Sequence, residues 1–163
     1  MQPESFDETL IRDLHEQMII GWNHVSGAQF ARGFREDADF VAFDGTHLKG
    51  RKEIEIFHTE LFETELHGSR LEGGVHFVRY LRPDFAVVYA WAAMALPGQT
   101  NASASRDSVQ MFVATKREGQ WAFEAMLNAR RVTTEQQDFA DQFESLSALA
   151  QRQVTRKVAA MRH

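Results

Sequence analysis

Apolar positions in the first part of the chain have the spacing of helices. Between Thr9 and Val25 an apolar residue recurs every three or four positions, which predicts an amphipathic helix with one face inward. These apolar residues are Ile11, Leu14, Met18, Ile19, Trp22 and Val25. A break at Ser26-Gly27 precedes a second, short helix, which is predicted over Ala28–Phe34.

The next pattern indicates a strand, a turn and a helix. The charged run Arg35–Asp39 leads into an apolar strand, Phe40–Phe43. Asp44-Gly45 then predicts a two-residue hairpin turn, because glycine supplies the positive φ that such a turn needs. A helix is predicted over Lys52–Leu66, and its spacing places His58 on the apolar face. The apolar residues of that face are Ile54, Phe57, Leu61 and Phe62.

Four strands follow, separated by turn signals rich in glycine, proline and polar residues. They are predicted over Arg70–Tyr80, Phe85–Leu96, Ser105–Lys116 and Gln120–Val132. The segment Phe85–Met94 is apolar at both parities, so we expect both faces of its sheet to be covered.

The last segment, Thr133–His163, has one narrow apolar stripe and a capping box at its start. It predicts a helix of roughly 25 residues. Three helices, a hairpin, four strands and a long C-terminal helix are typical of an α+β domain with a mostly antiparallel sheet.

Composition narrows the function classes. The chain has 163 residues, 44% hydrophobic and 25% charged, which predicts one globular domain. Its formal charge of −5 argues against nucleic acid and membrane partners. Cysteine is absent, which excludes disulfides and thiolate chemistry. The N-terminal residues have no signal-peptide pattern, so a cytoplasmic location is expected.

Three stretches resemble the nuclear-transport-factor-2-like superfamily, with the closest likeness to its SnoaL-like SgcJ/EcaC-type group. These stretches are Trp22–His58, Ser69–Ala90 and Ser108–Val132. The resemblance implies a domain over residues 1–132 and a C-terminal helical extension over residues 133–163. It also implies a cone-shaped fold, in which a strongly curved sheet wraps around the N-terminal helices and encloses a deep pocket. Homodimers that pack sheet against sheet are expected, with a small-molecule ligand as the other partner.

Asp44 and His58 are the candidate catalytic residues. The position of Asp44 resembles that of the general base in ketosteroid isomerase, where an apolar pocket would raise the pKa of a carboxyl group. The alternative is that Asp44 is a turn residue. A buried histidine needs a hydrogen-bond partner, and Asp44 is the natural candidate for His58. The alternative is a structural histidine of the core.

Four further residues are predicted to line the pocket: Trp22, Phe40, Gln110 and Asn128. Gln110 and Asn128 lie on neighbouring predicted strands, so their amides either bind a ligand oxygen or bond to each other. Trp22 either forms a pocket wall or belongs to the core. Steroid isomerases need a tyrosine on the first helix and a second acid on a late strand. The chain offers Gln17 and Met18 on that helix and Gln110, Met111 and Asn128 on the late strands, which argues against steroid isomerisation.

The sequence therefore predicts cofactor-free acid/base catalysis of the isomerase, cyclase or dehydratase type on an apolar, oxygenated substrate. Two alternatives remain open, a non-catalytic ligand-binding module and a dimeric association module of the same fold. No cofactor is expected, since no Gly-rich nucleotide loop is present. No metal site is expected either, because the seven histidines lack ligand spacing.

Overall fold

The computed structural model describes residues 5–99 and 107–131. Three helices lie at Phe6–Asn23 (α1), Gly27–Ala31 (α2) and Gly50–Glu63 (α3). Ser5 caps α1 by accepting a hydrogen bond from the Glu8 backbone N–H, so this helix begins three residues before its predicted start. Ser26 caps α2 in the same way, through the backbone N–H of Gln29.

The described residues also form six strands, which agree closely with the predicted ones after residue 70. They are Phe34–Val41 (β1), His47–Lys49 (β2), Arg70–Arg82 (β3), Phe85–Ala95 (β4), Asp107–Arg117 (β5) and Gln120–Arg130 (β6). The prediction at β1 was wrong, because Phe34 and the charged run after it belong to this strand and not to a helix or connection. A register irregularity between Phe34 and Asp39 disrupts the alternation that would have indicated a strand.

The strands form a mixed sheet in the order β2-β1-β6-β5-β4-β3. Only the pairing of β1 with β6 is parallel among these strands. Alternate residues of β4 are fully buried beneath the helices, which defines the inner face of the sheet. Further register irregularities occur in β3 and in the pairing of β5 with β6, between Val113 and Ala114. Irregularities of this kind are typical of bent strands.

The turn between β1 and β2 differs from the predicted two-residue hairpin. The Ala42 N–H donates to the Thr46 carbonyl, and the Gly45 N–H donates to the Ala42 carbonyl, both over 2.9 Å. The loop therefore has three residues, with Gly45 at φ 86° in the left-handed region. The glycine has the predicted conformation, but the extra residue displaces Asp44 from the predicted turn position.

The chain divides into two units between Arg131 and Val132, and the described residues belong to the first. The predicted helix over Thr133–His163 and the start of the predicted strand at Ser105 lie outside the described residues. Within the described ranges no helix is both long enough and apolar enough to cross a membrane.

Candidate ligand-binding cavity

A cavity of about 740 Å³ lies between the inner face of the sheet and the three helices. All six residues that the sequence analysis proposed for the site line it: Trp22, Phe40, Asp44, His58, Gln110 and Asn128. Within the described ranges, none of the buried lining residues is an acid, a lysine or an arginine. These buried residues are Met18, Phe30, Phe40, His58, Ala92, Ser108, Gln110 and Met126.

His58 occupies the apolar wall of the cavity. On α3 it shares one buried stripe with Ile54 and Phe62, each one helical turn away. Its Nδ1–H donates to the Ile54 carbonyl over 2.8 Å, and its ring stacks on Phe30 with centroids 3.9 Å apart. Burial lowers the pKa of His58 to about 4. The ring is therefore neutral near pH 7, and its Nε2 carries a lone pair with no partner among the described residues.

Asp44 lies at the cavity mouth, and both its pKa and its hydrogen-bond partner differ from the prediction. Its Oδ1 accepts the Thr46 backbone N–H over 2.9 Å, and this hydrogen bond lowers the pKa of Asp44, where a raised pKa was predicted. The side chain is exposed, and desolvation raises the pKa less than this hydrogen bond lowers it. The predicted contact with His58 is also wrong, since the described residues show no hydrogen bond between the two side chains. The helix backbone accepts the His58 proton instead.

Gln110 and Asn128 face each other across β5 and β6, as a directly paired position of the ladder. The predicted possibility that they bond to each other is not realised. Gln110 Oε1 accepts a hydrogen bond from His15 Nε2–H over 2.9 Å. Asn128 Oδ1 is buried and has no partner among the described residues.

Trp22 and Phe40 form part of an aromatic wall around His58. The Trp22 indole Nε1–H donates to Ser69 Oγ over 3.1 Å, which holds the ring in place. Phe40 meets His58 edge to face at a centroid distance of 5.2 Å. Both side chains therefore pack with the core and also line the cavity.

The cavity mouth consists of the exposed lining residues together with half-buried Asp107. The exposed residues are Phe43, Asp44, Glu60, Thr64, Glu65 and Arg130. The Arg130 guanidinium carbon lies 4.2 Å from the centre of the Phe43 ring. Among the described residues, four carboxylates against one guanidinium give the mouth a negative balance, which disfavours the entry of anions.

Two residues of this arrangement were missed in the sequence analysis. Phe30 stacks on His58, and His15 holds Gln110. His15 lies four residues after Ile11 and three before Met18, so the helical spacing already placed it on the buried stripe. Among the described residues, no three histidine or acidic side chains cluster as a metal site would require.

The mixed sheet, the covering helices and the cavity between them define an α+β fold with a pocket of ligand size. The chain is similar to a domain of unknown function with a cystatin-like fold from Nostoc punctiforme, with 51% identity, 98% of each chain covered and a TM-score of 0.80. At this level of identity the two share a family, and the chain belongs to the nuclear-transport-factor-2-like superfamily.

More distant structures share the fold alone. One is a nuclear-transport-factor-2-like protein of unknown function from Shewanella oneidensis, with 13% identity, 72% of this chain and 93% of that chain covered, and a TM-score of 0.59. Another is a hexachlorocyclohexane dehydrochlorinase, with 14% identity, 77% and 85% covered, and a TM-score of 0.64. No protein-family model matches the chain, and no curated protein matches it.

Proposed function

We propose that the chain binds a neutral, largely apolar small molecule with an oxygen substituent in the 740 Å³ cavity. The observation that carries this proposal is the uncharged character of the buried lining, where His58 is kept neutral by burial. A charged ligand would lose its hydration there without finding a countercharge. Apolar surface of the ligand, in contrast, gains from contact with the aromatic wall.

A matched pair of fluorescent probes tests this proposal. Neutral phenylnaphthylamine and the anionic anilinonaphthalene sulfonate share two aromatic groups and differ in charge. We expect saturable binding of the neutral probe and at least about tenfold weaker binding of the anion, measured by the rise in probe fluorescence.

Two Leu-to-Trp variants locate the bound probe. Leu71 lines the cavity, whereas Leu81 is 51% exposed and lies elsewhere on β3. Leu71→Trp fills part of the cavity and should weaken binding of the neutral probe by about tenfold or more, while Leu81→Trp leaves it within about twofold. Equal effects of the two variants, or no saturable binding at all, would contradict the proposal.

Cofactor-free acid/base catalysis is a second candidate function. It is favoured by the Nε2 of neutral His58 at the cavity wall, which has no partner in the described part of the chain. The dehydrochlorinase of the same fold is named for an apolar small molecule, which is compatible with this candidate by analogy only. A nitrogen with a pKa of about 4 is a weak base, so we expect a modest acceleration. The catalytic assignment of Asp44 stays a prediction, and its lowered pKa weakens it as a base.

Nitrobenzisoxazole, a neutral bicyclic compound, reports such a base. Removal of its ring C–H proton breaks the N–O bond and releases a coloured cyanonitrophenolate. Turnover above buffer that is lost in His58→Phe and retained in Asp44→Asn would assign the base to His58. The opposite pattern would assign it to Asp44, and no acceleration in the wild type would leave the chain a binding protein.

We also propose that the protein forms a homodimer, in which a second copy of the chain packs on the outer face of the sheet. Four side chains that we call the outer row follow one register across β3 to β6 on the face away from the helices: Phe77, Tyr89, Met111 and Leu127. Phe77, Met111 and Leu127 are about half exposed, at 48%, 48% and 54%. An apolar row that crosses four strands is suited to pack on its own copy through a twofold axis.

A cytoplasmic location without a nucleic-acid partner stays a prediction from the sequence.

A further inference from the structure

One end of the cavity carries two amides at a paired position of the sheet. Gln110 and Asn128 lie directly opposite each other on β5 and β6, and both line the cavity. Opposite side chains of an antiparallel pair have Cβ atoms roughly 5 Å apart. A single ligand atom is therefore within reach of both amides.

His15 determines which end of the Gln110 amide is available. Its Nε2–H donates to Gln110 Oε1, and the two side chains are only 2% and 3% exposed. Phe112 packs edge-on against the His15 ring at a centroid distance of 5.6 Å and a perpendicular angle. With its oxygen occupied, Gln110 offers its Nε2–H₂ group, which has no partner among the described residues.

Asn128 offers the opposite group. Its Oδ1 is a buried acceptor without a hydrogen-bond partner among the described residues. A buried acceptor left in this state destabilises the folded protein, so it is expected to meet a donor when the site is in use. The end of the cavity thus combines a donor from Gln110 with an acceptor from Asn128.

We infer that this end of the cavity recognises a ligand hydroxyl, which accepts a hydrogen bond from Gln110 Nε2 and donates one to Asn128 Oδ1. His15 is the positioning residue that orients Gln110 for this contact. The inference rests on the proposed function, since it names the group by which a neutral ligand is held in the same cavity.

Other oxygen and nitrogen groups fit this pair less well. A ketone or an ether only accepts, so Asn128 Oδ1 remains without a donor. A carboxylate places a negative oxygen against Oδ1, and the negative cavity mouth opposes its entry. An ammonium group donates but leaves the Gln110 Nε2–H₂ group unpaired. Of the groups compared here, only a hydroxyl serves both amides with one atom.

Three naphthalenes provide the binding test. Naphthol donates and accepts, methoxynaphthalene only accepts, and naphthalene does neither. In the wild type, calorimetry should show naphthol binding about tenfold more tightly than methoxynaphthalene, since one further hydrogen bond is made. In Asn128→Leu this preference should fall to about twofold or less, while the affinity for naphthalene is kept.

The same preference separates positioning from a purely structural effect at His15. His15→Phe keeps an aromatic ring against Phe112 but removes the donor to Gln110. We expect the naphthol preference to fall while naphthalene still binds. Equal loss of affinity for all three compounds would mean that His15 acts through packing alone, which overturns its assignment.

The possible outcomes distinguish this inference from the proposed function. If all three naphthalenes bind the wild type equally, an ordered water serves the amides and the hydroxyl inference is overturned, while the binding proposal stands. If the preference survives in Asn128→Leu, the hydroxyl lies elsewhere and the inference is again overturned. If none of the three binds, the proposed function fails and the inference with it.

A stability measurement tests the inference without any ligand. Asn128→Leu removes an unpartnered acceptor and should raise the Tm by a few degrees. The matched control is Asn23→Leu, because both ends of the Asn23 amide bond to the Leu71 backbone, at 2.7 and 2.8 Å. That variant should lower the Tm. A comparable loss in both variants would show that Asn128 is already satisfied in the free protein, which overturns the inference.

Discussion

The surroundings of its ring decide the charge of His58. Phe30 stacks on one side, Phe40 meets the ring edge-on, and one nitrogen is engaged by the helix backbone. Protonation would bury a positive charge among aromatic rings, so the neutral form is favoured. This arrangement makes His58 a hydrogen-bond acceptor at neutral pH and links its titration to the stability of the fold.

The stability of the protein should therefore fall in acid through His58. The pKa of about 4 in the folded state lies below the ordinary histidine pKa of 6.5, so the unfolded chain binds more protons between these two values. Stability is unaffected above this window and decreases as the pH falls through it. From about pH 7 to pH 5 the wild type should lose about 2 kcal/mol more free energy of unfolding than His58→Phe. Urea unfolding at the two pH values measures this difference.

His15 remains in both proteins, so its own lowered pKa does not enter the comparison. An identical pH dependence of the wild type and His58→Phe would show that His58 is not held neutral by the fold.

Asp44 and His58 should titrate independently. The Asp44 carboxylate bonds to the Thr46 backbone, and the His58 Nδ1–H bonds to the Ile54 carbonyl. We expect NMR titration to give the same His58 pKa in the wild type and in Asp44→Asn, to within about 0.3 units, because neither group contacts the other. A clear fall of the His58 pKa in the variant would restore the predicted catalytic pair.

The sequence reasoning placed Asp44 and His58 at one cavity but assigned them the wrong hydrogen-bond partners. Helical spacing indicates which face a side chain occupies, and this was sufficient for His58. It does not indicate whether an imidazole bonds to another side chain or to the carbonyl four residues earlier. Sequence spacing likewise does not reveal the hydrogen-bond partner of the Gln110 amide, because His15 and Gln110 are far apart in the chain.

At the scale of elements, the close approach of α1 and α2 positions the aromatic wall. Gly21 of α1 faces the backbone of α2, and a Cβ atom there would lie 2.7 Å from Phe30 Cα. The absence of a side chain lets α2 approach α1, and Phe30 then reaches His58. A glycine inside a helix is intrinsically unfavourable, so its use here is explained by the packing.

Gly21→Ala should consequently destabilise the protein by about 2 to 4 kcal/mol, since the added methyl overlaps backbone atoms that cannot move alone. Gly33→Ala is the matched control, because the atom nearest to its Cβ would belong to the Leu14 side chain, at 3.4 Å. Its effect should stay within about 1 kcal/mol. Urea unfolding of both variants measures the difference, and similar losses would contradict the account of the α1–α2 contact.

Element type and order between Thr9 and Val132 were predictable because periodicity is a local property of the sequence. The strands β3 to β6 agree to within two residues with those of their predicted bounds that lie among the described residues. The errors lie where local rules compete. Phe34 fits both a helical stripe and a strand, and Asp44-Gly45 fits both a two-residue and a three-residue turn.

At the scale of the whole molecule, the two faces of the sheet differ in what their side chains contact. The inner face carries the buried residues and the two amides of the cavity, whereas the outer row leaves large apolar side chains in contact with solvent. The two sets of side chains alternate along each strand, because neighbouring residues point to opposite faces of the sheet. The sequence analysis recognised this from Phe85–Met94, which is apolar at both parities, and the cover of the outer face stays a prediction.

A dimer that forms through the outer row should dissociate when a charge is placed there. Met111→Glu puts one carboxylate from each copy into an apolar interface, and twofold symmetry brings the two charges close together. Sedimentation velocity should show a dimer for the wild type and a monomer for Met111→Glu. Ile56→Glu is the matched control, since Ile56 is also 48% exposed but lies on α3, and it should remain a dimer. A wild-type monomer would contradict the proposed interface. A dimer that survives Met111→Glu but is lost when the chain ends at Val132 would instead assign the contact to the C-terminal segment.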